Sequence, residues 1–124
     1  MSEPVWFNLR HYPNSSVVEL DKTKTLRPEF YTFFAYVGNK RVGSISVDSN
    51  EITGFWIDAP HRGRGIGRTL LRLAENKVKS LGYNQAIGKV RINNAFAIAM
   101  YQRAGYLLVT NRTSLGHHCG VKYL

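Results

Sequence analysis

Apolar and polar positions change their period partway along the chain. The run from Glu29 to Val37 is rich in Phe, Tyr and Val, which predicts a strand. Gly38-Asn39-Lys40 supplies a turn, and Arg41 to Asp48 then alternates. Gly43, Ile45 and Val47 fall on one face, Ser44 and Ser46 on the other. Residues 29–48 therefore read as an antiparallel hairpin with one buried face. Ser49-Asn50 turns the chain again, and Glu51 to Asp58 makes a third strand. Upstream, Val5-Trp6-Phe7 and Ser16 to Leu20 read as short strands. The polar stretch Asp21 to Thr25 reads as a loop, with Pro28 marking entry to the next element.

The period then becomes helical. Ile66, Leu70, Leu73, Ala74 and Leu81 share one face, with Arg68, Arg72, Glu75 and Lys79 between them. Gly82 follows as a C-terminal cap. Asn84 to Val90 is a short strand, and the alanine-rich Asn94 to Arg103 reads as a second helix ending before Gly105. Tyr106 to Val109 and Leu115 to Tyr123 close the chain as strands. Strands, helix, strand, helix and strands in that order predict an α/β architecture with a mixed sheet.

Composition narrows the function classes. The 124 residues include one cysteine, Cys119, which excludes an internal disulfide framework and a cysteine-rich zinc site. No apolar run reaches the ~20 residues that span a bilayer. Met1-Ser2-Glu3-Pro4 lacks the pattern of a signal peptide, so a reducing, cytoplasmic setting and no membrane partner are expected. One domain over 1–124 is expected, with a variable region (1–28), a core (29–110) and a closing strand (111–124). No His/Cys/Asp cluster has metal-ligand spacing, so no metal site is expected. Charge is the unusual feature: 17 Lys and Arg against 8 Asp and Glu give a net charge of +9. That suits an anionic partner: nucleic acid, a membrane surface or a polyphosphate cofactor.

The stretch Ile57-Asp58-Ala59-Pro60-His61-Arg62-Gly63-Arg64-Gly65-Ile66-Gly67-Arg68 places a glycine-rich turn between a strand and a helix. The unpaired N–H groups at a helix start attract anions, and Arg62, Arg64 and Arg68 add charge. Neither the P-loop nor the dinucleotide glycine pattern fits. The spacing is Arg62-x-x-Gly65-x-Gly67. This resembles the cofactor loop of the GNAT superfamily of acetyl-CoA-dependent N-acetyltransferases. Val90-x-x-x-Asn94-x-x-Ala97-x-x-x-Tyr101-Gln102-x-x-Gly105-Tyr106 resembles that family's downstream strand–helix motif.

The resemblance implies a mostly antiparallel sheet, two principal helices, and a splayed strand pair holding CoA. By that resemblance Phe55, Trp56 and Ile57 line the pantetheine arm. The N–H near Ile57 polarises the thioester carbonyl, and Gly63, Arg64, Gly65, Ile66, Gly67 and Arg68 hold the pyrophosphate beside Arg62. Asn94 would hydrogen-bond the cofactor arm, serve as a helix N-cap, or do both. Tyr101 matches the tyrosine that protonates the departing thiolate. Glu51 is the first candidate for a base; Asp58, His61, His117 and His118 are others. Near Val90, where some members carry a glutamate, this chain has Lys89 and no acid.

Between Leu20 and Glu29 there is no room for the two helices that usually wall the acceptor site, and even from Leu9 the segment is short and carries Pro13 and Pro28. An open site suits a bulky acceptor, or one completed by a partner subunit. Protein amines, small amines and aminoacyl-tRNA all remain acceptor candidates, and a homodimer remains open. The competing reading is an inactive CoA-binding or nucleic-acid-associated module of the same fold.

Overall fold

The computed structural model describes residues 3–12, 17–20, 23–26, 30–110 and 116–124. Its strands are β1 (Val5–Tyr12), β2 (Val17–Leu20), β3 (Thr23–Leu26), β4 (Phe30–Val37), β5 (Lys40–Asp48), β6 (Glu51–Ile57), β7 (Gln85–Arg91), β8 (Leu107–Thr110) and β9 (His117–Tyr123). Helix α1 (Ile66–Ser80) joins β6 to β7, and α2 (Ala95–Arg103) follows β7. Seven strands form one sheet in the order β1-β4-β5-β6-β7-β9-β8. Every neighbouring pair in it is antiparallel except β6–β7. A parallel pair needs a crossover, which is the role α1 fills.

Two N-terminal expectations are corrected. The first strand runs eight residues rather than three, because β1 pairs with β4 from Val5↔Val37 to Tyr12↔Phe30. Its polar Asn8, Arg10 and His11 are tolerated at an exposed sheet edge. Thr23–Leu26 is a strand paired with β2, within and beyond the predicted loop Asp21 to Thr25. Thr23 and Thr25 are β-branched and accept extended backbone once a partner strand is present. Ser16, Asp21, Pro28, Glu29 and Leu115 lie outside the described residues. The chain has a strand pair where the sequence left no room for two helices.

Both helices pack on one face of the sheet. Leu70, Ala74 and Val78 of α1 are fully buried against Ile45, Val47 and Ile52, and Ala97 and Tyr101 of α2 join the same cluster. Alternation along the strands sends the other set of side chains to the opposite face. Those include Thr32, Phe34, Ser44, Ser46 and Trp56, with Thr32 Oγ1 and Ser46 Oγ 2.9 Å apart. Neither described helix covers that face.

One glycine fixes how α2 sits. A Cβ on Gly88 of β7 would lie 2.9 Å from Cε1 of Tyr101, with two more ring atoms at 3.0 and 3.2 Å. The ring occupies the space a side chain would need. Gly88→Ala is expected to cost about 1–3 kcal/mol through overpacking, measured as a lower denaturation midpoint at unchanged slope.

Candidate acyl-transfer site

The site begins with a defect in β6. Ser46 pairs with Thr53 and Ser44 with Trp56, so Gly54 and Phe55 together oppose Ile45. This is a β-bulge, and Gly54 supplies its positive φ of 61°. The bulge sends the Phe55 ring into the core and bends the strand. Strand β6 meets β7 only at Glu51↔Ile87 and Ile52↔Gly88. Beyond them the two strands part around a cleft of about 440 Å³, lined by Thr53, Phe55, Trp56, Lys89, Val90 and Arg91, with Asn94, Ala97 and His117. Asn94 spans its end: Oδ1 accepts from the Ala97 amide at 3.0 Å, capping α2, and Nδ2 donates to the Phe55 carbonyl at 3.3 Å.

The glycine-rich loop forms the second part. Ala59–His61 is a single 3₁₀ turn, and Arg62 Nε donates to the Ile57 carbonyl at 2.9 Å. The Arg62 guanidinium lies 4.6 Å from the Phe96 ring centre. Gly63 and Gly65 have φ of 78° and 82°, and a Cβ at either would meet nothing within 4 Å. Gly65 starts α1 without a side-chain cap, and the first turn holds no acid. Its leading amides therefore keep their capacity for an anion. A second cavity of about 460 Å³ opens here, lined by Ile57, Arg62, Gly63, Gly65, Gly67 and Arg68 from one side and Phe96, Met100 and Arg103 from the other. Open glycine backbone, a bare helix start and three arginines fit a polyphosphate.

The sequence-predicted residues divide between these cavities and the core. Arg62, Gly63, Gly65, Gly67, Arg68 and Ile57 line the loop cavity; Phe55, Trp56 and Asn94 line the cleft. Gly67 also permits close helix packing, since a Cβ there would lie 3.1 Å from Met100 Cε and 3.3 Å from Phe96 Cζ. Ile66 is a buried core side chain, and Arg64 is exposed. Tyr101 is fully buried and does not line the cleft; its hydroxyl donates to the Ile52 carbonyl at 3.4 Å, at the end where β6 and β7 pair. Glu51 is half-buried at that same end, next to Ile52 in the chain. Asp58 lies 3.9 Å from Lys40 Nζ, and His61 Nδ1 is buried without a hydrogen-bond partner.

Tyr101 belongs to a buried polar group. Its ring packs edge-on to Phe55 and to Tyr106, with centroids 5.7 and 5.0 Å apart. Tyr106 donates to Glu75 Oε2 at 2.8 Å, and Lys122 Nζ stands 3.0 Å from the same oxygen. Burial, reinforced by Glu75, pushes both tyrosine hydroxyls above the ordinary tyrosine range. Both stay protonated at neutral pH. Sequence reading missed Gly88, Thr53 and the α2 contribution of Phe96, Met100 and Arg103. The signals were a glycine inside an alternating strand and a 96–100–103 spacing, which puts three residues on one helix face.

These features are those of an acyltransferase fold, and the comparisons agree. Residues 3–106 match the model of the Acetyltransferase (GNAT) family. The chain belongs to that family of acetyltransferases. No curated protein matches it. An acetyltransferase from Thermus thermophilus is 22% identical with a TM-score of 0.65, over 77% of this chain and 64% of its own. The PaiA N-acetyltransferase of Thermoplasma acidophilum, in complex with coenzyme A, is 20% identical with a TM-score of 0.65, over 75% and 60%. Arabidopsis thaliana Naa50, in complex with the bisubstrate analogue CoA-Ac-MVNAL, is 23% identical with a TM-score of 0.61, over 75% and 72%. At these identities the likeness is one of fold. The chain spans less than two thirds of the first two.

The raised tyrosines make stability depend on alkaline pH. A folded pKa above the unfolded one gives stability that is full below the unfolded value, ~10, and lost as pH rises past it. Thermal midpoints are expected to hold from pH 7 to 9 and to fall above pH 10. Tyr106→Phe should make that fall shallower.

Proposed function

We propose that this protein is an N-acetyltransferase that moves an acetyl group from acetyl-CoA to an amine acceptor by direct attack within a ternary complex. The observation that carries the reading is the joining of a polyanion-binding loop to a cleft that parts two parallel strands, at the two positions where the family motifs lie. In the transfer the amine nitrogen forms a bond to the acetyl carbon, and the carbon–sulfur bond breaks. The nitrogen loses a proton and the sulfur gains one. The N–H near Ile57 would stabilise the charge on the carbonyl oxygen. Gly63 to Arg68, with Arg62, would hold the pyrophosphate, and Phe55, Trp56 and Asn94 the pantetheine arm.

Tyr101 is the candidate acid: its hydroxyl is protonated at neutral pH and donates to the Ile52 carbonyl, where β6 and β7 last pair. Glu51 is the candidate base, at the same end of the cleft. The protein is expected to act as a soluble enzyme on the amines of a protein, a small molecule or an aminoacyl-tRNA, alone or as a homodimer. Among the described residues no helix is long and apolar enough to cross a membrane.

Two measurements test the reading. Isothermal calorimetry should detect acetyl-CoA binding to the wild type and at least a tenfold loss in Gly65→Glu, whose carboxylate opposes the pyrophosphate and whose side chain strains a positive-φ position. Absence of binding to the wild type would leave the fold without this activity. Tyr101→Phe should lower kcat about 10²-fold or more while leaving acetyl-CoA affinity within a factor of three. Unchanged turnover would remove Tyr101 from the chemistry.

A further inference from the structure

The two cavities differ in how their charges are accounted for. Arg62, Arg68 and Arg103 of the loop cavity face the phosphate end of the cosubstrate. The pantetheine arm and the acetyl group in the cleft carry no charge. Yet the cleft holds two more cations, Lys89 and Arg91 of β7, with His117 beside them and no carboxylate in its lining. Neither Lys89 nor Arg91 has an ion-pair partner among the described residues. The cosubstrate leaves both without a counter-ion.

Their position says what should neutralise them. Lys89 and Arg91 alternate with Val90, whose side chain is in the core, so they point to the sheet face opposite the helices. Trp56 of β6 reaches the same face and is 38% exposed. This mouth is open at Trp56 and Arg91, both exposed, whereas the loop mouth would take the phosphates. An acceptor must enter between Trp56 and the two cations. Glu51 lies two residues before Thr53, at the end where β6 and β7 pair.

Resting on the acetyltransferase reading, we infer that the acceptor is an amine that carries a carboxylate or a phosphate close to its nitrogen. The anion is held by Lys89 and Arg91, and the nitrogen points inward toward the Glu51 end. Polyamines and lysine-rich tails are disfavoured, because their extra positive charges would stand against Lys89 and Arg91, which have no ion-pair partner among the described residues. A charge-assisted contact to each cation gives affinity to the anionic acceptor alone.

The experiment uses matched acceptors: an amino acid against its amide, phosphoethanolamine against ethanolamine, and spermidine and a lysine-rich peptide as polycations. Acetylation is followed for the wild type, Lys89→Gln and Arg91→Gln. Each anionic acceptor should exceed its neutral match in kcat/KM by about tenfold or more, chiefly through KM, and each substitution should bring that ratio toward one. The carboxylate and phosphate pairs show which anion is taken. A preference for neutral or polycationic amines, or a ratio unmoved in both variants, overturns the inference. Calorimetry with acetyl-CoA on the same preparations separates the failures. If the cosubstrate binds and polycations are preferred, only the acceptor class is wrong; if it does not bind, the acetyltransferase reading falls and this inference with it.

Discussion

Strands β6 and β7 are hydrogen-bonded partners at two residues each and then separate, and the cleft depends on that short contact. Two small residues set it. Gly54 takes a positive φ in the bulge, which bends β6 away and turns Phe55 inward. Gly88 leaves room for the Tyr101 ring directly on β7. A continuous ladder here would close the opening, and the backbone groups of β6 would be used within the sheet. The bulge costs some pairing but frees the Phe55 carbonyl, which Asn94 then reaches from the start of α2. Helix, bulge and cleft are thereby tied through one side chain.

The same tie explains why core and site cannot be separated. Phe55 is core by burial and cleft by position, packing against Phe96 and Tyr101. Tyr101 in turn touches Tyr106, which is anchored to Glu75 of α1 and through it to Lys122 of β9. The candidate acid is held between Phe55 of β6 and Tyr106, which is itself tied to α1 and β9. Such support fixes position, which matters more for proton transfer than for folding. It also keeps the hydroxyl away from water, so its proton stays in place.

Much of the loop was legible because its signals are local. Gly63, Gly65 and Gly67 follow a strand and open a helix, and Arg62 precedes them, so an anion site could be read without knowing any distant contact. Asn94 was readable in the same way, since an N-cap needs only residues three apart. Less legible was the N-terminal region. An edge strand such as β1 shows weak alternation because one of its sides has no neighbouring strand, and only pairing with β4 reveals its length. The cleft charges were visible as residue types, yet their meaning depended on strand register. Only strand register places Lys89 and Arg91 together along the cleft.

Hydrophobic period, glycine placement and two spaced motifs determined from sequence alone the order of the elements, the mixed sheet and the family. Those properties are encoded within a turn or two of chain, where local sterics and amphipathic patterning act. Tertiary structure decided the rest: that β6 and β7 part after two pairs, that both helices share one face, that Tyr101 is buried beneath the last pair, and that Lys89 and Arg91 line the cleft. Each of these depends on residues far apart in the sequence, such as Tyr101 and Ile52, being brought together. Chain-local patterning carries no record of such meetings, because packing between distant elements selects them.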